Sequence, residues 1–139
     1  MYGTINISME LILLLLIKHA ICDLAIQRWH GWEGIGPKYH WLRFKSQKHY
    51  IEHGLGTLLV FIPFVDPYTA LQAALCDWIA HWHIDWIKSN TNKYFGWHDK
   101  DTGFWMLVTI DQILHYTTYI LLISWFYAIP WIYGSDILP

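Results

Sequence analysis

Residues 11–23 read LILLLLIKHAICD. Seven aliphatic residues, Leu11–Ile17, run unbroken and then meet His19 and Asp23, four positions apart. Side chains at i and i+4 share one helix face, with Cβ atoms about 5–6 Å apart. An ionisable pair in an apolar helix is costly, and a shared polar site is its natural reason. The pattern recurs. His49/His53, His81/Asp85 and Asp111/His115 have the same spacing, mostly inside apolar, Trp-rich stretches, and an offset of 62 carries 19 to 81, 23 to 85, 49 to 111 and 53 to 115.

Composition narrows the class. The chain has 139 residues, which suits one domain. Hydrophobic residues make up 55 % and charged residues 14 %, well below the usual quarter. Ten Trp and nine Tyr make it aromatic-heavy, and with a net charge of −2 no basic or acidic tail points to nucleic acid. Cys22 and Cys76 are too few for a disulfide framework or a thiolate zinc site. The mean hydropathy of +0.24 is modest, but four stretches of about 20 residues are apolar if one or two buried polar groups are allowed in each. The expectation is an all-α integral membrane four-helix bundle; a soluble aromatic-rich bundle is the alternative. Glu10 before the apolar run, and Lys18-His19 after it, do not read as a cleaved signal.

Helices are predicted over about 7–27, 45–65, 67–88 and 104–127. Gly31, Gly34, Gly36 and Pro37 follow the first, Asp66-Pro67 separates the second from the third, and Pro130 lies near the end of the fourth. Eight of the nine basic residues lie in or beside two long loops: Arg28, Lys38, Arg43, Lys45, Lys48, then Lys88, Lys93, Lys100. By the positive-inside rule those loops are cytoplasmic and the termini lie outside, in an inner or cytoplasmic membrane. Trp29, Trp32, Tyr39 and Trp41 on one side, and Trp125, Trp131 and Tyr133 on the other, fit interfacial belts.

All four pairs then fall in the half of the bundle nearer the basic loops; Asp111 begins roughly 10 Å into the last helix. The 62-residue offset also pairs Leu13 with Leu75, Ile17 with Ile79 and Gly34 with Gly96. That fits two repeated helical hairpins with a site at their interface. Coincidence between two similar hairpins is the competing reading.

Imidazole and carboxylate without thiolate suit Zn²⁺, Mn²⁺ or Fe²⁺. Eight candidate ligands exceed one tetrahedral zinc. The expectation is one or two ions held among His19, Asp23, His49, His53, His81, Asp85, Asp111 and His115. Gln27, Asp77 and Gln112 would orient the ligands, and Arg28 and Lys88 would meet an anionic substrate at the mouth. His30, His40, His83 and His98 lack such partners and read as interfacial.

The string His19-Ala-Ile-Cys-Asp23-Leu-Ala-Ile-Gln27 resembles the first-helix pattern of a small uncharacterised membrane-protein family of bacteria and phages, a domain of unknown function. The His49/His53 helix, His81-Trp-His-Ile-Asp85-Trp-Ile-Lys88 and Asp111-Gln112-Ile-Leu-His115 are similar to its other motifs. The likeness covers about residues 11–125. Cys22 stands where the family usually has Gly. The resemblance implies the helical membrane fold and the residue set; it brings no established activity. A looser similarity to membrane-bound metal-dependent hydrolases is analogy alone.

Two functional expectations follow. One is a metal-dependent hydrolase acting on a lipid or isoprenoid ester or phosphate at the cytoplasmic leaflet. The other is a non-enzymatic membrane protein, a proton or metal conduit or a subunit of a phage or bacterial membrane complex, whose His and Asp are interhelical staples. An iron oxidase ranks third. The expected partners are membrane lipids and an anionic lipid-like substrate, with oligomers left open.

Overall fold

The computed structural model describes residues 2–29 and 41–133, with side chains over 7–29 and 41–125. It contains only helices among these residues, arranged as four rods. The first rod is α1 (Tyr2–Ala20), a π-helical segment (Ile21–Ile26) and one closing turn, α2 (Gln27–Trp29). Then come α3 (Phe44–Phe61), α4 (Pro67–Phe95) and α5 (Thr102–Tyr133). Each rod packs on its chain neighbour, and the first also packs on α5, so the four close a ring. His30, Trp32, Lys38, Tyr39 and His40 lie outside the described residues, as do the side chains of Trp131 and Tyr133.

Local chemistry explains the ends. Helix α3 stops at Phe61 rather than continuing to Val65, because Pro63 has no N–H for the ladder and its ring crowds the preceding turn. Asp66 then caps α4: its carboxylate accepts from the backbone N–H of Tyr68 and Thr69 and from the Thr69 hydroxyl, with Pro67 in the first turn. Those bonds, the Thr69 hydroxyl first, hold the Asp66 carboxyl below the usual carboxylate range. Helix α4 runs past Lys88 to Phe95 and ends at Gly96, whose φ of 67° is the left-handed cap that glycine adopts freely. Helix α5 continues through Pro130.

The 62-residue register is not carried by the backbone throughout. Residues 21–26 are π-helical, whereas 83–88 lie in the regular α4 helix. The extra residue per turn re-aims the Asp23 face, a device often found at functional sites.

Many polar and ionisable side chains are buried beside the apolar ones. The interior holds Lys18, His19, Ser46, His49, His53, Thr57, Asp77, His81, Asp85, Asp111 and His115. The outside of each rod is apolar; Leu24, Leu59, Leu75 and Leu121 are 70 %, 71 %, 44 % and 63 % exposed. A dry apolar core of Leu11, Leu15, Phe61, Ala70, Ala73, Tyr119, Leu122 and Ile123 closes the end opposite the long loops. One stretch among the described residues, Thr102–Trp125, is long and apolar enough by composition to cross a membrane. The expectation of four such stretches is met by that one alone.

At the contact between α3 and α4, Gly54 has no room for a side chain. A Cβ there would lie 3.0 Å from the Ala74 carbonyl oxygen and 3.1 Å from Trp78 Cβ. Gly54→Ala is expected to push the two helices apart at a cost of about 1–3 kcal/mol. Thermal unfolding followed by helical circular dichroism would register the loss; an unchanged midpoint would show that the contact yields freely.

Candidate metal centre

The four rods each send side chains to one level of the interior. From the π segment comes Asp23, from α3 His49 and His53, from α4 His81 and Asp85, and from α5 Asp111 and His115. Asp23, His49, His53 and His81 each offer a ligand atom within 4.8 Å of the others, and so do His81, Asp85 and His115. His81 belongs to both groups.

Asp23 is the hub. Its Oδ1 lies 3.2 Å from His53 Nε2, 3.3 Å from His49 Nε2 and 4.0 Å from His81 Nε2. The imidazoles of His53, His81 and His115 form a column, with ring centroids 3.6 Å and 3.9 Å apart along it. His49 and His53 are almost fully buried; among the described residues neither nitrogen of His49, nor Nδ1 of His53, makes a hydrogen bond. A buried polar atom left so costs about 1–3 kcal/mol. Asp23 Oδ1 accepts a hydrogen bond from His53 Nε2, and the Nε2 atoms of His49 and His81 stand round the same oxygen, so that these four side chains form one group at metal-binding distance.

The other carboxylates are held differently. Lys88 Nζ lies 2.8 Å from Asp111 Oδ2 and 3.1 Å from Asp85 Oδ1, so its ammonium is matched by two carboxylates. Asp85 Oδ2 stands 3.8 Å from His49 Nε2, and Asp111 Oδ1 stands 3.5 Å from His115 Nε2.

His19 sits in a hydrogen-bonded series whose direction can be worked out. Lys18 Nζ donates to Asp77 Oδ2 at 2.7 Å and to the Tyr119 hydroxyl at 3.0 Å. An ammonium only donates, so Tyr119 accepts there and gives its own proton to His19 Nδ1, 2.9 Å away. A neutral His19 then carries its N–H on Nε2, which faces Gln112 Oε1 at 3.1 Å and Asp23 Oδ2 at 3.2 Å. The tautomer follows from the network. In it His19 is a donor that aims Asp23, with no lone pair left for an ion.

The remaining sequence candidates fall in several places. Gln112 bonds His19 through Oε1 and donates to Asp111 Oδ2 at 3.2 Å. Asp77 accepts from Lys18 and from the Thr57 hydroxyl at 2.6 Å, below the His and Asp level. Gln27 is buried in α2, and Arg28 is exposed beside it. Cys22 is buried and Cys76 exposed, both as free thiols. Trp41 packs against Trp82, His83 and Trp86 of α4, and its carbonyl accepts from Trp82 Nε1.

Sequence reasoning passed over Lys18, Thr57 and Tyr119. The available signal was Lys18 itself, the one basic residue away from both loops, which requires an acidic partner inside. Asp77, four before His81 and outside the repeating pairs, is the carboxylate that meets it.

Fold and site together define an all-helical protein with buried His/Asp groups at metal-binding distance. The chain belongs to the family described as Protein of unknown function (DUF3307), which it matches over residues 11–133. No curated protein and no solved structure matches it.

Proposed function

We propose that this protein is a membrane-embedded helical bundle. It holds one divalent ion among Asp23, His49, His53 and His81, and uses that ion to hydrolyse an ester or phosphate carried on a lipid or isoprenoid. The observation that carries this reading is His49: fully buried, with no hydrogen-bond partner at Nδ1 among the described residues, and converging through Nε2 with two other imidazoles on one Asp23 oxygen. Three nitrogens and one oxygen suit zinc, with manganese or iron as alternatives.

Membrane embedding is supported by the buried polar groups and the apolar exterior. Water would not tolerate an apolar exterior on all four rods around a polar interior, whereas a bilayer favours it. The basic residues near the site end favour an orientation with that end at the cytoplasmic face.

One ion is favoured over two. The Lys88 ammonium already occupies the place between Asp85 and Asp111 where a second cation would sit, and offsets one of their two charges. A single divalent ion held beside Asp23 would keep a net positive charge there and would polarise an ester carbonyl or phosphoryl oxygen. Asp85, beside His49 and His81, is the carboxylate placed to take a proton from water.

Element analysis of detergent-purified protein tests the reading. About one equivalent of a transition metal is expected, and less than about a tenth would overturn it. A second reading has its own observation, the series Asp77–Lys18–Tyr119–His19–Gln112, which could relay protons. Proton flux through proteoliposomes that is abolished by Tyr119→Phe, in metal-free protein, would favour that role.

A further inference from the structure

The centre is not evenly sealed. Asp23 keeps 24 % of its side chain exposed, whereas the His49 and His53 side chains keep 1 % and 0 %. Its exposed side faces a groove along the seam between the first rod and α5. This groove has a volume of about 610 Å³, within the usual range for small-molecule sites.

The polar side chains sit midway along the seam, with apolar ones on both sides of them, Leu24 and Val108 toward the loops. Ile12, Leu16 and Ile120 make an apolar trough toward the closed end of the bundle. His19, Gln112 and Tyr116 bring polar atoms together at the level of Asp23. From Ile12 to Leu24 the trough runs about 18 Å at the helical rise. Leu13 and Ile113, next to lining residues on the two rods, are exposed and apolar.

We propose that this seam binds a single-chain amphiphile, an acyl or isoprenyl chain bearing an ester or phosphate head, taken laterally from the bilayer. The inference rests on the membrane reading given above and adds the route, the chain and the head contacts. What surrounds an apolar exterior in a membrane is hydrocarbon, so the trough is bathed in acyl chain and excludes water. One seam between two rods accommodates one chain. The head then lies beside Asp23, where Tyr116 and Gln112 stand with hydroxyl and amide groups, already bonded to each other at 3.1 Å and able to re-aim onto ester or phosphate oxygens. A water-soluble phosphate has no such path, because the trough presents hydrocarbon before it presents polar atoms.

The test uses full-length protein in nanodiscs with a lysophosphatidic acid that carries a photoreactive diazirine at its chain end. Labelling is expected on peptides containing Ile12, Leu16 or Ile120. Leu16→Trp, which fills the trough, is expected to lower that labelling about tenfold. Leu75→Trp, on the lipid face of α4, is expected to leave it unchanged. Ala20→Phe blocks the same trough from a second position and covers the case in which Leu16→Trp fails to fold. Inorganic phosphate is expected not to compete. Labelling spread evenly over Leu55, Leu59 and Leu75, labelling indifferent to both blocking variants, or stronger labelling by a two-chain phosphatidic acid probe would overturn the proposal. Metal content measured on the same samples separates the two readings. Metal without seam labelling sinks the groove alone, and seam labelling without metal sinks the hydrolase and leaves the groove standing.

Discussion

Asp77→Leu is expected to destabilise the protein by about 3–5 kcal/mol, the cost of leaving one buried charge without its partner. The Lys18 and Asp77 side chains are 6 % and 1 % exposed, so neither can turn to solvent. Removing the carboxylate strands the Lys18 ammonium and also takes the acceptor from the Thr57 hydroxyl. The double variant Lys18→Met, Asp77→Leu is expected to recover most of the loss, because a packed apolar pair needs no compensation. Gly56 makes room for this arrangement: a Cβ there would stand 2.7 Å from Lys18 Cγ. Unfolding of the unaltered protein, Asp77→Leu, Lys18→Met and the double variant in mixed detergent micelles gives the coupling directly. Single losses that simply add in the double variant would show that the pair is not a unit.

That pair also marks the boundary of what the sequence made legible. The i, i+4 spacing named residues that do reach one interior level, because helical geometry makes such pairs share a face and apolar surroundings force that face inward. Spacing says nothing about which atom points where. Whether His19 offers a lone pair or a proton is decided by Tyr119 and Lys18, and Tyr119 lies a hundred residues away in the chain. Lys88 read as a mouth residue by position, yet its long stem lets it reach Asp85 and Asp111. The π segment at 21–26 has no strong sequence signal, since Ile, Cys, Asp, Leu and Ala also suit an α-helix. The extension of α4 to Phe95 was readable in Gly96, a left-handed cap, but the polar run from Lys88 to Lys93 looked like a loop. In place its Asn90 and Thr91 side chains bond back to the Trp86 and Ile87 carbonyls.

His53→Ala is expected to lower metal affinity by more than about 100-fold, beyond the range that outer partners of a metal site usually contribute. Its Nε2 is among the nitrogens nearest Asp23 Oδ1, and its ring stacks against His81, so its loss removes a ligand and loosens the column. His19→Phe and Tyr119→Phe should behave otherwise. Both leave Asp23, His49, His53 and His81 in place and only remove the donor that aims Asp23, so a loss of about 10–100-fold is expected. Competition with a chromophoric chelator, read on purified protein at fixed pH, ranks the three variants. The staple reading makes a different forecast, in which metal content stays near zero throughout and stability falls with the number of buried polar contacts removed. On that count His19, bonded at both ring nitrogens, would matter more than His53. The order of His19 and His53 therefore decides whether these imidazoles serve an ion or only each other.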